Sequence, residues 1–185
     1  TVSRTPPKGR VVALAGAKRR VRILIADDDA DNRSWVRQLL EQIGFEVREA
    51  RDGDEALAVF DEWRPHLVLL DMNMPVVDGY AAARAMRARP AGRQAAIVAV
   101  TASVFDEERD AMVDAGADGV LRKPCREADL LEEIRKQLGI EFTYAAGDAP
   151  DFEQTSQLPM LMLSPEAYVR KLPPLLVQGL REAAL

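Results

Sequence analysis

Apolar residues dominate three short stretches of the chain: VRILIA at 21–26, where Arg22 is the one charge, LVLL at 67–70 and AAIVAV at 95–100. Runs this short, rich in Val and Ile and without polar alternation, predict strands covered on both faces. FEVREA at 45–50 alternates more and suits an edge strand, and GVLR at 119–122 is a short fifth strand. Between these runs the period lengthens. Val36, Leu39, Leu40 and Ile43 recur at helical spacing over 31–43, and Gly44 supplies the stop. Residues 54–63 read as a second helix with Pro65 just beyond it, and 79–88 as an Ala-rich third. A fourth covers 105–115 and halts at Gly116. The last, 127–138, carries Leu130, Leu131, Ile134 and Leu138 on one stripe before Gly139.

Five strand–helix units in succession imply an α/β domain over 21–139: a doubly wound parallel sheet with helices on both faces. Right-handed crossovers leave few ways to order its strands. The flanks read differently. Residues 1–20 look like a basic linker in which VVAL at 11–14 is a possible extended stretch. Residues 140–185 look like a linker and a short helical C-terminal extension. Helix starts stand at Ser164-Pro165-Glu166 and after Pro173-Pro174.

Composition narrows the class. With 185 residues, 48% hydrophobic and 30% charged, the chain can bury a core without staples. One cysteine, Cys125, excludes an intramolecular disulfide framework, and no apolar run is long enough to cross a bilayer. A cytoplasmic location with no membrane contact is the expectation. The net charge of −5 conceals an asymmetry. Seven of the 25 basic residues and no acid lie in 1–22, leaving 18 basic against 30 acidic residues, or −12, in the rest. That acidic body argues against direct contact with nucleic acid. The chain starts on Thr and is read as a piece of something longer or a processed form.

The chemistry gathers at one edge. In a parallel sheet all strand carboxyl ends lie together, and ligands bind there. The first strand ends in Asp27 and Asp28, the third in Asp71, the fourth in Thr101 and Ala102, the fifth in Lys123-Pro124. Two carboxylates about 4 Å apart repel by roughly 4 kcal/mol at an effective dielectric of ~20, so protons or a cation must relieve them. Hard oxygen ligands without His or Cys favour Mg²⁺ (or Mn²⁺). Lys123 offers a point charge to an incoming anion, Thr101 a hydroxyl donor, and a carboxylate can attack phosphorus to give an aspartyl-phosphate.

The acidic pair Asp27-Asp28, D71-M-N-M-P75 with Asp78-Gly79, T101-A102 and K123-P124 together resemble the receiver domain of two-component response regulators. The resemblance implies a flavodoxin-like, CheY-like sheet of order 2-1-3-4-5. It implies that Asp71 accepts a phosphoryl group from the phosphohistidine of a histidine kinase or a histidine phosphotransfer domain. Mg²⁺ would be held by Asp28, Asp71 and the main-chain carbonyl of Asn73, with Asp27 assisting. Lys123, Thr101 and the Ala102 N–H would grip the phosphoryl group. Two positions depart from the family: Val120 stands where an aromatic switch residue is usual, and Cys125 where Phe is frequent. The switch is then left to Thr101 and the neighbourhood of Val120.

D28-D-A-D-N-R33, GFEVREA, GDEAL, TASVFDEER, LGIEFTY and LPPLLVQGLREAAL further resemble receivers fused to hybrid sensor histidine kinases. The implied role is a phosphoacceptor, not an enzyme, with weak self-phosphorylation and autodephosphorylation, and a homodimer is possible. A stand-alone regulator with a truncated output region is the alternative. A Mg²⁺-dependent aspartyl-phosphate phosphatase is a weaker one, because Asp71-Met72-Asn73 breaks the DxD pattern of that class. His66, before the third strand, is read as a surface residue rather than a phosphodonor. Lys123→Ala is expected to leave the fold intact.

Overall fold

The computed structural model describes residues 11–14, 20–102 and 106–144. The chain runs β1 (Val11–Leu14), β2 (Arg22–Ala26), α1 (Ala30–Ile43), β3 (Glu46–Ala50), α2 (Gly53–Trp63) and β4 (Leu67–Asp71). It continues through α3 (Gly79–Arg87), a 3-10 turn at Pro90–Arg93, β5 (Ala96–Thr101), α4 (Asp106–Asp114), β6 (Gly119–Arg122), α5 (Glu127–Leu138) and β7 (Phe142–Tyr144). Five parallel strands form the main sheet in the order β3-β2-β4-β5-β6. Counting those five alone, this is the flavodoxin-like order 2-1-3-4-5.

The apolar runs follow from burial on two sides. Ile23, Ile25, Leu67, Leu69, Val98 and Val100 face a core shared with Val36, Leu39 and Leu40 of α1 and Leu130, Leu131 and Ile134 of α5. The alternate residues Leu24, Ala26, Val68, Leu70 and Ile97 face Ala56 and Phe60 of α2 and Ala82, Ala83 and Met86 of α3. A strand that feeds two cores has no solvent face on which polar residues could alternate. Helices α1, α2 and α3 each begin on a carboxylate. Asp29 accepts from the Asp31 and Asn32 amides, Asp52 from Glu55 and Asp78 from Ala81. These satisfy donors that the first helical turn leaves open.

Parallel register levels the strand ends. Ala26 stands beside Ala50 and Leu70, Asp71 beside Val100, and Thr101 beside Arg122. Asp71 and Thr101 are themselves the last residues of their strands. Glycine is required where α3 begins. A Cβ on Gly79 would stand 2.4 Å from the Asp71 carbonyl oxygen and 2.6 Å from the Met72 Cα, so α3 starts in direct contact with the end of β4. On the far side of α3, Arg87 Nε donates to the Gly116 carbonyl at 2.7 Å. One of its terminal nitrogens donates to the Ala95 carbonyl at 2.8 Å, and the other pairs with Asp118.

Residues outside the expected 21–139 also join the fold. β1 and β7 form a two-stranded antiparallel sheet pairing Leu14 with Phe142 and Val11 with Tyr144. Phe142 meets Phe45 edge-on with ring centroids 6.3 Å apart, and Val11 and Ile140 pack against the core shared by α1 and α5. VVAL at 11–14 reads along the chain only as a possible extended stretch, and nothing in 142–144 marks its partner. What defines them is a partner at the other end of the domain. The helix starts at 164 and 173 lie outside the described residues.

The loop after β4 holds a backbone outlier. Val76 has φ +68° and is 81% exposed. A β-branched residue in the left-handed region is strained, by about 1–2 kcal/mol, and so exposed a side chain gains little from packing. Val76→Asn is expected to stabilise the protein by about 1 kcal/mol, because Asn tolerates that region. An unchanged or lower urea midpoint would argue against strain at this residue.

Candidate functional site

At the carboxyl edge of the sheet the chain places an ammonium between two buried acids. Lys123 Nζ donates to Asp27 Oδ2 at 2.6 Å and to Asp71 Oδ2 at 2.9 Å. Asp27 and Lys123 are 6% exposed and Asp71 2%. The second carboxylate oxygens are held by the backbone. Asp27 Oδ1 accepts from the Asp29 amide at 2.8 Å, and Asp71 Oδ1 from the Asn73 amide at 2.9 Å. The Arg33 guanidinium donates to the Asp27 carbonyl at 2.6 Å and fixes the end of β2. Lys123 is positioned from β5, since its amide donates to the Thr101 carbonyl at 2.7 Å. The Lys123-Pro124 peptide is cis.

The electrostatics are strained in one direction. Burial pushes the Asp27 carboxyl above its ordinary value; Lys123 opposes the rise, and the Asp71 charge adds to it. Burial pulls Lys123 down, but Asp71 and Asp27 outweigh it and hold the ammonium above the ordinary lysine range. Two acids share one internal cation, so the cluster favours a second positive charge.

The acids fit a hard cation. Asp27, Asp28 and Asp71 each offer a carboxylate oxygen within 4.8 Å of one another, and half-buried Asp28 lies toward solvent. Three oxygen ligands and no His or Cys among them suit Mg²⁺ or Mn²⁺. Asn73 is exposed in the loop directly after Asp71. Thr101 is buried at the end of β5, and Ala102, half-buried, follows it. Residues 103–105 lie outside the described residues, and with them the Val104 and Phe105 of the loop.

Val120 packs with Tyr80 against Met72, Ala99, Met112 and Ala117. The aliphatic side chain is thus part of the packing between β4, β5 and α4. Cys125 is buried beside Asp27 and Lys123, and burial pushes its thiol up to about 11, so it stays protonated and unreactive near neutrality. His66 sits at the opposite edge of the sheet, its Nδ1 accepting from the Arg22 amide at 3.0 Å. Asn32, assigned no role from sequence, is buried by the fold next to Asp27. A signal was present: it precedes Val36 by four residues, so a polar amide occupies the apolar stripe of α1.

The sequence family described as the response regulator receiver domain matches residues 23–135. This chain belongs to that family. Its receiver is 39% identical over 117 residues to the transcriptional regulatory protein PrrA of Mycobacterium tuberculosis, covering 63% of this chain and 49% of that one. It is 41% identical over 118 residues to the response regulator MprA of Mycolicibacterium vanbaalenii, covering 64% and 50%. The chain therefore spans about half the length of the curated relatives it matches. Among solved structures, the receiver superposes on the Vibrio cholerae chemotaxis protein CheY4 with TM-score 0.63 and 31% identity, over 65% of this chain and 100% of the other. It superposes on the receiver domain of the Pseudomonas aeruginosa sensor histidine kinase PA1611 with TM-score 0.61 and 30% identity, over 65% and 99%. That structure is described with a magnesium ion coordinated in the active site cleft. Among the described residues of the receiver, no helix is long and apolar enough to cross a membrane.

Proposed function

We propose that this receiver is a Mg²⁺-dependent phosphoacceptor in a two-component relay, with Asp71 as the nucleophile. The observation that carries the reading is the bridge of Lys123 to both Asp27 and Asp71 at the sheet edge. It supplies an acid, a cation for the incoming anion and one further acid, and Asp28 beside them completes a set that could hold a metal. An Asp71 carboxylate oxygen attacks the phosphorus of a phosphohistidine. The new O–P bond forms as the P–N bond breaks, and the imidazole leaves. Mg²⁺, which Asp28, Asp71 and the Asn73 carbonyl would hold with Asp27 assisting, would supply charge neutralisation for the transferring group.

The protein's own residues orient the acceptor. The Asn73 amide and Lys123 fix the two Asp71 oxygens, and the Asp29 amide and Arg33 fix Asp27 and its strand end. Lys123, Thr101 and the Ala102 N–H then meet the phosphoryl oxygens. Thr101 and the packing around Val120 pass the change to the α4 side. The chain is on this reading a phosphoacceptor rather than a turnover enzyme, acting in the cytoplasm on a histidine kinase or phosphotransfer partner.

The test is incubation with acetyl phosphate and Mg²⁺. Intact mass should rise by one phosphoryl group, and chelation of the metal should prevent it. An unchanged mass in the presence of Mg²⁺ sinks the reading. For context we propose the receiver of a hybrid sensor kinase, supported by the likeness to the receiver of PA1611. The names of PrrA and MprA support a stand-alone regulator instead. Phosphorylation from ATP by the segment encoded immediately before this one would decide for the hybrid kinase, and its failure for the regulator.

A further inference from the structure

Asn32 lies on the inward side of α1 and is 5% exposed. Its backbone amide donates to the Asp29 cap at 3.2 Å. Its side-chain Nδ2 has no acceptor among the described residues. A buried amide donor without a partner costs free energy, so native proteins rarely keep one without a reason. Asn32 lines a cavity of about 20 Å³ together with Asp27, Asp71, Lys123 and Cys125. That is room for about one water, enough for an amide to turn.

Both oxygens of Asp27 are already taken, Oδ1 by the Asp29 amide and Oδ2 by Lys123. The second arrangement cannot survive phosphorylation unchanged. A phosphoryl group on Asp71 places new anionic oxygens at the site, and among the described residues the ammonium beside them is the one now shared by the two acids. When Lys123 turns to the phosphoryl group, Asp27 Oδ2 loses its donor inside the protein. A buried carboxylate with a lost donor is costly and badly oriented.

We propose that Asn32 is a positioning residue, a donor held in reserve for Asp27. Its Nδ2 turns within the cavity and donates to the Asp27 oxygen that Lys123 releases. Asp27 then stays aimed at the metal while Lys123 serves the phosphoryl group. The inference rests on Asp71 being the phosphoacceptor.

The test uses the full chain and Asn32→Leu, which keeps the branched shape and removes the donor. Beryllofluoride with Mg²⁺ serves as the phosphoryl probe, its affinity measured by titration calorimetry. Without metal, Asn32→Leu should have a urea midpoint equal to or above that of the wild type, since it deletes an unpaired buried donor. Its affinity for beryllofluoride with Mg²⁺ should fall about tenfold, the low end of what outer partners of metal ligands contribute. Asn32→Gln, which keeps the donor and adds a methylene next to the cavity, should recover most of that loss. Wild-type affinity in Asn32→Leu overturns the proposal. So does a lowered metal-free midpoint together with unchanged affinity, which would make Asn32 a structural residue only. If the wild-type chain takes no beryllofluoride, the proposal falls with the phosphoacceptor reading, and the fault lies in that reading.

Discussion

Asp71→Asn is expected to take up no phosphoryl group from acetyl phosphate, while remaining folded. The amide nitrogen that replaces one oxygen is no nucleophile, and the remaining amide oxygen is a poor one. The fold should survive because the charge balance improves. Lys123 keeps its 2.6 Å contact with Asp27, and the second buried carboxylate that burdens Asp27 disappears. One ammonium then faces one carboxylate, a pairing the interior tolerates better than one against two. Intact mass with acetyl phosphate and Mg²⁺ reads the first half of the expectation, and a thermal melt the second. Stoichiometric modification of the Asn variant would move the acceptor to another residue and leave Asp71 as a metal ligand only.

Lys123→Ala is expected to do the opposite, and to damage the metal-free protein itself. Two carboxylates, 6% and 2% exposed, would remain close together with no cation between them. Removing one partner of a buried ion pair costs about 3–5 kcal/mol, which is roughly 10–20 °C in melting temperature for a domain of this size. This differs from the expectation, drawn from sequence, that the substitution leaves the fold intact, and the same melt decides between the two. A lysine read only as a phosphoryl clamp is also a structural counter-ion. Millimolar Mg²⁺ should restore part of the loss, because a ligand at a hundred times its dissociation constant adds about 2.7 kcal/mol.

The pH dependence has a fixed sign. Lys123 titrates above its ordinary value of 10.5 in the fold. Its contribution is therefore complete below 10.5 and is lost as the pH rises through the higher folded value. Alkaline loss of stability should be present in the wild type and smaller in Lys123→Met. An unchanged melting temperature for Lys123→Ala without metal would show that the acids protonate at no great cost.

The site was legible along the chain to an unusual degree, for a reason visible in β4 and β5. Asp71 and Thr101 end apolar runs, and in a parallel sheet every run ends on the same edge. Finding the strands therefore found the edge at which these side chains gather. Legibility failed where a residue's role depends on a contact. Asn32 reads as one polar position on a helix until α1 is packed beside Asp27. Val76 reads as an ordinary loop residue until its φ is known. β1 reads only as a possible extended stretch, and β7 as linker, until the two pair.

The amino-acid order by itself determined the five strand–helix alternations, the two-sided burial of the central strands and the acids, hydroxyl and lysine at their ends. Hydrophobic period and chain punctuation are local properties, written in neighbouring residues. Only the tertiary structure decided that Lys123 bridges two acids, that an amide beside them is left without an acceptor, and that residues 11–14 close on 142–144. Those facts belong to pairs of residues far apart in the chain, and their energies exist only once folding has brought the partners within reach.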